Sequence, residues 1–224
     1  GIMKRGIKAE NVTMIPNGCD LELFDNAEPA WRPEGVKDDD FMAVFTGTHG
    51  IANGLDSVLD AAAELKSRKG TEHIKFVLIG RGKLKQGLIE RAKNDGLDNI
   101  IFCDPVPKPK LTGLMEAADV GMQILANIPA FYYGTSPNKF FDYLSAGLPV
   151  LCNYPGWVSD LIGEFDCGEA VEADNPVAFA DALVKMSSDK DRSLQQGENA
   201  NKLARAKFSR DDLSNQFVEW VTNV

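Results

Sequence analysis

Cysteine is scarce in this chain, four in 224 residues. The four stand at 19, 103, 152 and 167, with no Cys-x-x-Cys spacing and no histidine pattern beside them. That offers neither a zinc ligand set nor a disulfide framework, and it reads as isolated buried thiols in a reducing cytosol. Positive charge is also short: 24 Lys and Arg face 33 Asp and Glu, for a formal net charge of −9. A phosphate backbone needs a basic stripe, so a nucleic-acid surface is excluded, whereas a local phosphate pocket is not. No run reaches the roughly 18 apolar residues of a membrane span, and no secretory leader precedes the first strand-like segment. Internal repeats, low-complexity tracts and long linkers are missing too.

What remains is ordinary globular material, 44% hydrophobic and 25% charged, long enough to bury a full core. Short apolar runs alternate with helix-period segments. Strands are expected at Phe41 to Phe45, Ile74 to Ile79, Ile100 to Phe102, Val120 to Leu125, Pro149 to Cys152 and Gly168 to Val171. Between them the spacing predicts helices at Asn53 to Lys66, Leu84 to Asn94, Lys110 to Glu116, 136 to 146 and Val158 to Gly163, and three more follow the last strand. Such alternation builds βαβ units, so the expected fold is α/β, a Rossmann-like doubly wound parallel sheet of about six strands with helices on both faces. Ligands of such a sheet lie at the carboxyl ends of its strands.

One stretch carries the most local information, from Tyr133 to Val150. Ser136 suits an N-cap, Pro137 the first helical position, and Gly147 with Pro149 ends the helix. The amides of Asn138 and Lys139 are then left without intrahelical partners at the positive end of the helix dipole, which suits a phosphate. Asp142, four residues beyond Asn138 and so on the same face, stands roughly 6 Å further along the axis and could accept bonds from ribose hydroxyls. A plain surface pair with Lys139 is its alternative. Gly47, His49 and Gly50 lie in a glycine-rich turn after the first strand. The turn either approaches a diphosphate or simply joins strand to helix.

The run Ser-Pro-Asn-Lys-Phe-Phe-Asp-Tyr-Leu-Ser-Ala-Gly-Leu-Pro-Val resembles the donor-binding signature of nucleotide-sugar glycosyltransferases with two Rossmann-like lobes, the GT-B architecture. Within these it is similar to the large retaining group with a Glu-x7-Glu motif. The resemblance implies that Asp142, as the second acid, holds the nucleotide ribose. Gly134 stands where the first acid would be. A subgroup that makes bacterial surface polysaccharides shares this departure, with Gly134, Thr135, Ser136, Asn138 and Lys139 in place of the motif's first half. Ile15-Pro16-Asn17-Gly18 resembles the segment that closes the first lobe and leads into the second, so residues 1–24 are expected to be an interlobe linker and lead-in. Residues 25–224 would form the nucleotide-sugar-binding domain, and Gly1 to Ala9 would be the tail of a helix of the other lobe.

The same resemblance extends to three further loops. It implies that the glycine turn contacts the diphosphate or sugar with His49 facing the ligand, although Thr48 and Asn53 stand where many members carry cations. It places Lys85 at the diphosphate and Val106 at the base through main-chain groups. Arg81 and Lys83 read as solvated charges, and the aromatics of Ala130 to Tyr133 either cover the sugar or form a patch that the missing lobe would hide. No metal and no cofactor beyond the donor, a UDP- or GDP-sugar, is implied, and no catalytic residue can be assigned. The expected protein is the donor-binding lobe of a retaining glycosyltransferase that extends a surface glycan or a lipid-linked acceptor. It is expected in the cytoplasm, peripheral to the inner face of the membrane, and inactive without the missing acceptor-binding lobe. A nucleotide-sugar epimerase of the same shape is the alternative, for which no carboxylate pair is visible; a non-catalytic nucleotide-binding domain is another.

Overall fold

The structure is a computed structural model that describes residues 3–222. A short helix α1 (Leu21–Asp25) precedes β1 (Phe41–Thr46), followed by α2 (Asp56–Lys66), β2 (Ile74–Ile79), α3 (Lys85–Asn94), β3 (Ile100–Cys103), α4 (Lys108–Ala117) and β4 (Val120–Gln123). Then come α5 (Pro129–Tyr132), α6 (Asn138–Ser145), β5 (Val150–Cys152), α7 (Trp157–Phe165) and β6 (Gly168–Ala170). Three helices end the chain, α8 (Pro176–Ser188), α9 (Lys190–Lys207) and α10 (Arg210–Thr222). All six strands pair in parallel, in the order β3-β2-β1-β4-β5-β6.

Strand periodicity explains why both faces are covered. Along β1, Met42 and Val44 enter one core with residues of α4, α6, α7 and α9, while Phe41, Ala43 and Phe45 enter the other with residues of α2, α3 and α8. Every residue of β1 is buried, as a central parallel strand requires. The strand order turns at β1, which has β2 on one side and β4 on the other. A crevice therefore opens beyond the carboxyl ends of these two strands, where doubly wound sheets bind their ligands.

Tyr143 fixes that crevice from below. Its ring packs on β4, where a Cβ added at Gly121 would come within 2.4 Å of it. Its hydroxyl accepts the Thr46 amide at 3.0 Å, at the last residue of β1. Tyr143→Phe is expected to leave that buried amide without a partner and to cost about 1–3 kcal/mol. Urea unfolding of the two proteins measures this directly, and a cost below the error of the fits would mean that another acceptor takes over.

The described part of the lead-in segment pairs with the rest of the chain through a single β-bridge, Cys19 with Ser209. Its backbone is satisfied at the junction of α9 and α10, where the Cys19 amide donates to the Phe208 carbonyl (2.6 Å) and the Cys19 carbonyl accepts from Arg210 (2.9 Å). Cys19 and Phe24 belong to the core that also takes Met42 and Val44, so this segment is part of the domain's packing. Of the helix tail expected over Gly1 to Ala9, Gly1 and Ile2 lie outside the described residues, and Met3–Arg5 forms a single 3-10 turn.

Candidate functional site

Three loops meet beyond the carboxyl ends of β1, β2 and β3, and glycines let them touch. The Gly47 amide donates to the Ile79 carbonyl (2.9 Å), the His49 amide to Arg81 (3.0 Å) and the Leu84 amide to His49 (3.0 Å). The turn after β1 is thus clipped to the turn after β2. A cavity of about 220 Å3 opens beside them, lined among others by Gly47, Gly80, Arg81, Pro105 and Val106. Val106, expected from the resemblance to contact a base through its main chain, is part of this lining. Arg81, read from the sequence as a solvated charge, borders the same space.

His49 does not face this space as expected. Its side chain is buried, its ring lies near those of Phe45 (6.1 Å) and Phe102 (6.2 Å), and neither ring nitrogen has a hydrogen-bond partner among the described residues. The clipped backbone turns the ring inward, and burial, with the nearby Lys85 charge, lowers its pKa to about 4. The imidazole is therefore neutral at physiological pH.

Lys85, expected at the diphosphate, ties strand ends together. Its ammonium donates to the carbonyls of Gly80 (3.0 Å) and Cys103 (2.8 Å) and to the Asp104 carboxylate (2.8 Å). Those partners match its three donors. To meet a phosphate it would have to release one, and the Asp104 side chain, 96% exposed, is the loosest of them.

The start of α6 lies one residue later than the sequence indicated. Pro137 occupies the cap position with extended ψ, and no side chain caps the helix. The Ser136 hydroxyl accepts the Asn17 amide (3.1 Å), and its carbonyl accepts the Asn17 side chain (2.7 Å). Taken up by the lead-in segment, Ser136 leaves the first amides of α6 uncapped, which preserves their capacity for an anion. The segment before it is braced by the Trp157 indole, which donates to the Thr135 carbonyl (2.7 Å), and by the Thr135 hydroxyl, which donates to Phe131 (2.9 Å). Gly134 is exposed. Of the expected aromatic cluster, Tyr132 stacks on Tyr154 (6.1 Å between centroids), and only Tyr133 is strongly exposed, at 72%.

Lys139 supplies the cation that the glycine turn lacks. Its ammonium reaches Asn53 Oδ1 (3.2 Å) and sits 4.8 Å from the centroid of the Phe45 ring. A Cβ added at Gly47 would stand 3.0 Å from its Cε. Burial alone lowers its pKa to about 8. The expected alternative pair between Lys139 and Asp142 does not form. Asp142 instead meets Lys108 at 3.0 Å, with burial pushing its carboxyl pKa up and Lys108 pulling it down. Lys108 and Asn53 escaped the sequence reading as site residues, since nothing local pairs either with α6. Asn138, at the first position of α6, is exposed.

A second cavity, about 170 Å3, lies at the opposite end of the sheet among Phe41, Asp119, Leu148, Pro149, Met186 and Leu194. Its carboxylate, Asp119, already accepts the Met42 amide (2.7 Å), and the helix start on its wall, at Lys190, is capped by the Asp189 side chain.

Comparison with known proteins identifies a family and a shared fold. Residues 28–203 match the family described as glycosyl transferases group 1. The chain is 27% identical over 220 residues to a D-inositol 3-phosphate glycosyltransferase of Corynebacterium urealyticum, covering 93% of this chain and 50% of that protein. It is 26% identical over 150 residues to a putative colanic acid biosynthesis glycosyl transferase of Escherichia coli, covering 65% and 35% respectively. The chain spans about half the length of the first of these relatives. Among solved structures, Anabaena HepE in complex with UDP-glucose superposes with a TM-score of 0.78 at 16% identity, over 99% of this chain and 60% of that one.

Proposed function

The chain belongs to the glycosyl transferases group 1 family, and on that premise we propose that it is the donor-binding lobe of a retaining glycosyltransferase, residues 25–224 holding the nucleotide-sugar and residues 1–24 leading in from an acceptor-binding lobe. The observation that carries this reading is the convergence, at one crevice, of an uncapped helix start, a desolvated ammonium and a carboxylate one turn further on. The base would lie against Val106 in the cavity, the ribose on Asp142, and the diphosphate between the first amides of α6 and Lys139. The sugar would extend toward Gly134 and Thr135. Helix dipole and ammonium both stabilise negative charge, and that charge grows on the diphosphate as the glycosidic bond breaks.

A UDP-sugar is favoured over a GDP-sugar, since HepE was solved with UDP-glucose. The donor is used without a metal or other cofactor, and the acceptor is a glycan or lipid-linked sugar at the inner face of the membrane. An acceptor must be held in reacting geometry against the donor. This lobe alone is therefore expected to bind donor without transferring sugar.

Calorimetric titration with UDP and GDP tests the binding, and Asp142→Ala tests the placement. Losing a hydrogen bond to a charged group is expected to weaken UDP roughly tenfold while the melting temperature holds. Unchanged UDP affinity in the variant would remove Asp142 from the site, and no binding of either nucleotide would overturn the donor-lobe reading.

A further inference from the structure

Asp142 must stay ionised in a place that disfavours it. Burial opposes its charge, and the charges that bear on it are Lys108 and Arg210, which favour it, and Asp20, which does not. Arg210, at the start of α10, is turned toward the Asp20 carboxylate (3.4 Å) and the Gly18 carbonyl (3.4 Å). Two other titratable groups on this side, the Cys19 thiol and the Tyr143 phenol, are held neutral by burial. Lys108 touches the carboxylate itself, at 3.0 Å. It is the first residue of α4, flanked by Pro107 at the cap position and Pro109, two residues that fix the backbone on either side. Val106 lies just before, in the cavity wall.

We propose that Lys108 is a positioning residue for nucleoside recognition, keeping the Asp142 carboxylate charged and aimed to accept from the ribose hydroxyls while its own segment presents the main chain of Val106 to the base. One rigid turn thereby couples base and ribose contacts, and a ligand lacking either part loses more than one contact. The inference rests on the reading of Asp142 as the ribose acceptor.

The sign of the effect follows from the pair. Without Lys108 the buried carboxyl binds a proton more readily, so its acceptor capacity is lost as pH falls. The measurement is UDP affinity by calorimetry for the wild type, Lys108→Met, Lys108→Arg and Asp142→Asn, at steps from about pH 7 to about pH 5.5, a range that leaves ordinary lysines protonated. Taking each variant as a ratio to wild type cancels the ionisation of UDP itself. The Lys108→Met ratio is expected to worsen about five- to tenfold across that range, the difference between a charged and a neutral acceptor. Lys108→Arg should follow the wild type, and 2′,3′-dideoxy-UDP, which offers no ribose hydroxyls, should show no such pH dependence. A Lys108→Met ratio that stays constant with pH overturns the proposal, because it marks a general structural loss or a direct phosphate contact. If Asp142→Asn binds UDP as wild type does, the ribose reading itself falls. If Asp142→Asn is weakened while Lys108→Met runs parallel to wild type, the positioning role alone falls. Lys108 is 40% exposed at its side chain, so its variants should fold.

Discussion

Gly80→Ala should lower the melting temperature by roughly 10 °C and abolish the thermal response to UDP, from a destabilisation of about 3–4 kcal/mol. A Cβ at this position would stand 1.8 Å from the Gly47 carbonyl oxygen and 2.9 Å from its carbon, on a backbone with φ of +154°. Neither neighbour can give way cheaply. Gly47 is tied to Ile79, the Gly80 amide donates to the Cys103 carbonyl (3.2 Å), and the Gly80 carbonyl accepts from Lys85. The extra methyl therefore pushes apart the ends of three adjacent strands where the cavity forms. Gly87→Ala is the control, since nothing lies within 4 Å of its added Cβ and it sits inside α3. There the exchange is expected to stabilise by about 0.5–1 kcal/mol through helix propensity. Thermal melts with and without UDP read both. Equal melting temperatures for Gly80→Ala and wild type would show that the loops do not need their close approach.

The contrast between those two glycines shows which parts of the protein could be read in advance. The strands were legible because residues buried on both faces form continuous apolar runs, and β2 at Ile74–Ile79 falls where its sequence places it. The glycine turn carries a local signature as well, and the start of α6 was legible to within one residue. The missed features are contacts between segments distant in the chain. Ser136 looks like a cap, but its hydroxyl is taken by Asn17 from 119 residues away. Lys139 looks like a surface neighbour of Asp142, yet it bonds Asn53 from 86 residues away. Burial of His49 follows from the main-chain clip to Arg81, which no spacing announces. Helix α5 is four residues long, too short for periodicity to declare itself.

Lys139 makes the most of that long reach, and its titration should separate the stability of the empty protein from its affinity for a diphosphate. Burial depresses its pKa from 10.5 to about 8. Below about pH 8 both folded and unfolded chains carry the proton, and folding bears the full cost of covering the charge. As pH rises from about 8 toward 10.5 the folded state releases its proton while the unfolded chain keeps it, so this residue's effect is to raise stability across that window. Diphosphate binding runs the other way, because the anion favours the charged form: affinity should fall as pH rises through about 8, with proton uptake on binding near that pH. Lys139→Met removes both dependences. It is expected to melt no lower than wild type near neutral pH, since a covered charge on an aromatic ring gives way to an apolar chain, yet to bind UDP about tenfold to a hundredfold more weakly. Calorimetry in two buffers of different ionisation enthalpy counts the protons taken up, and melts from about pH 7 to about pH 9.5 follow the stability. Should the UDP affinity of Lys139→Met match wild type at neutral pH, the ammonium does not meet the diphosphate, and the glycine turn would have to bind it with backbone amides alone.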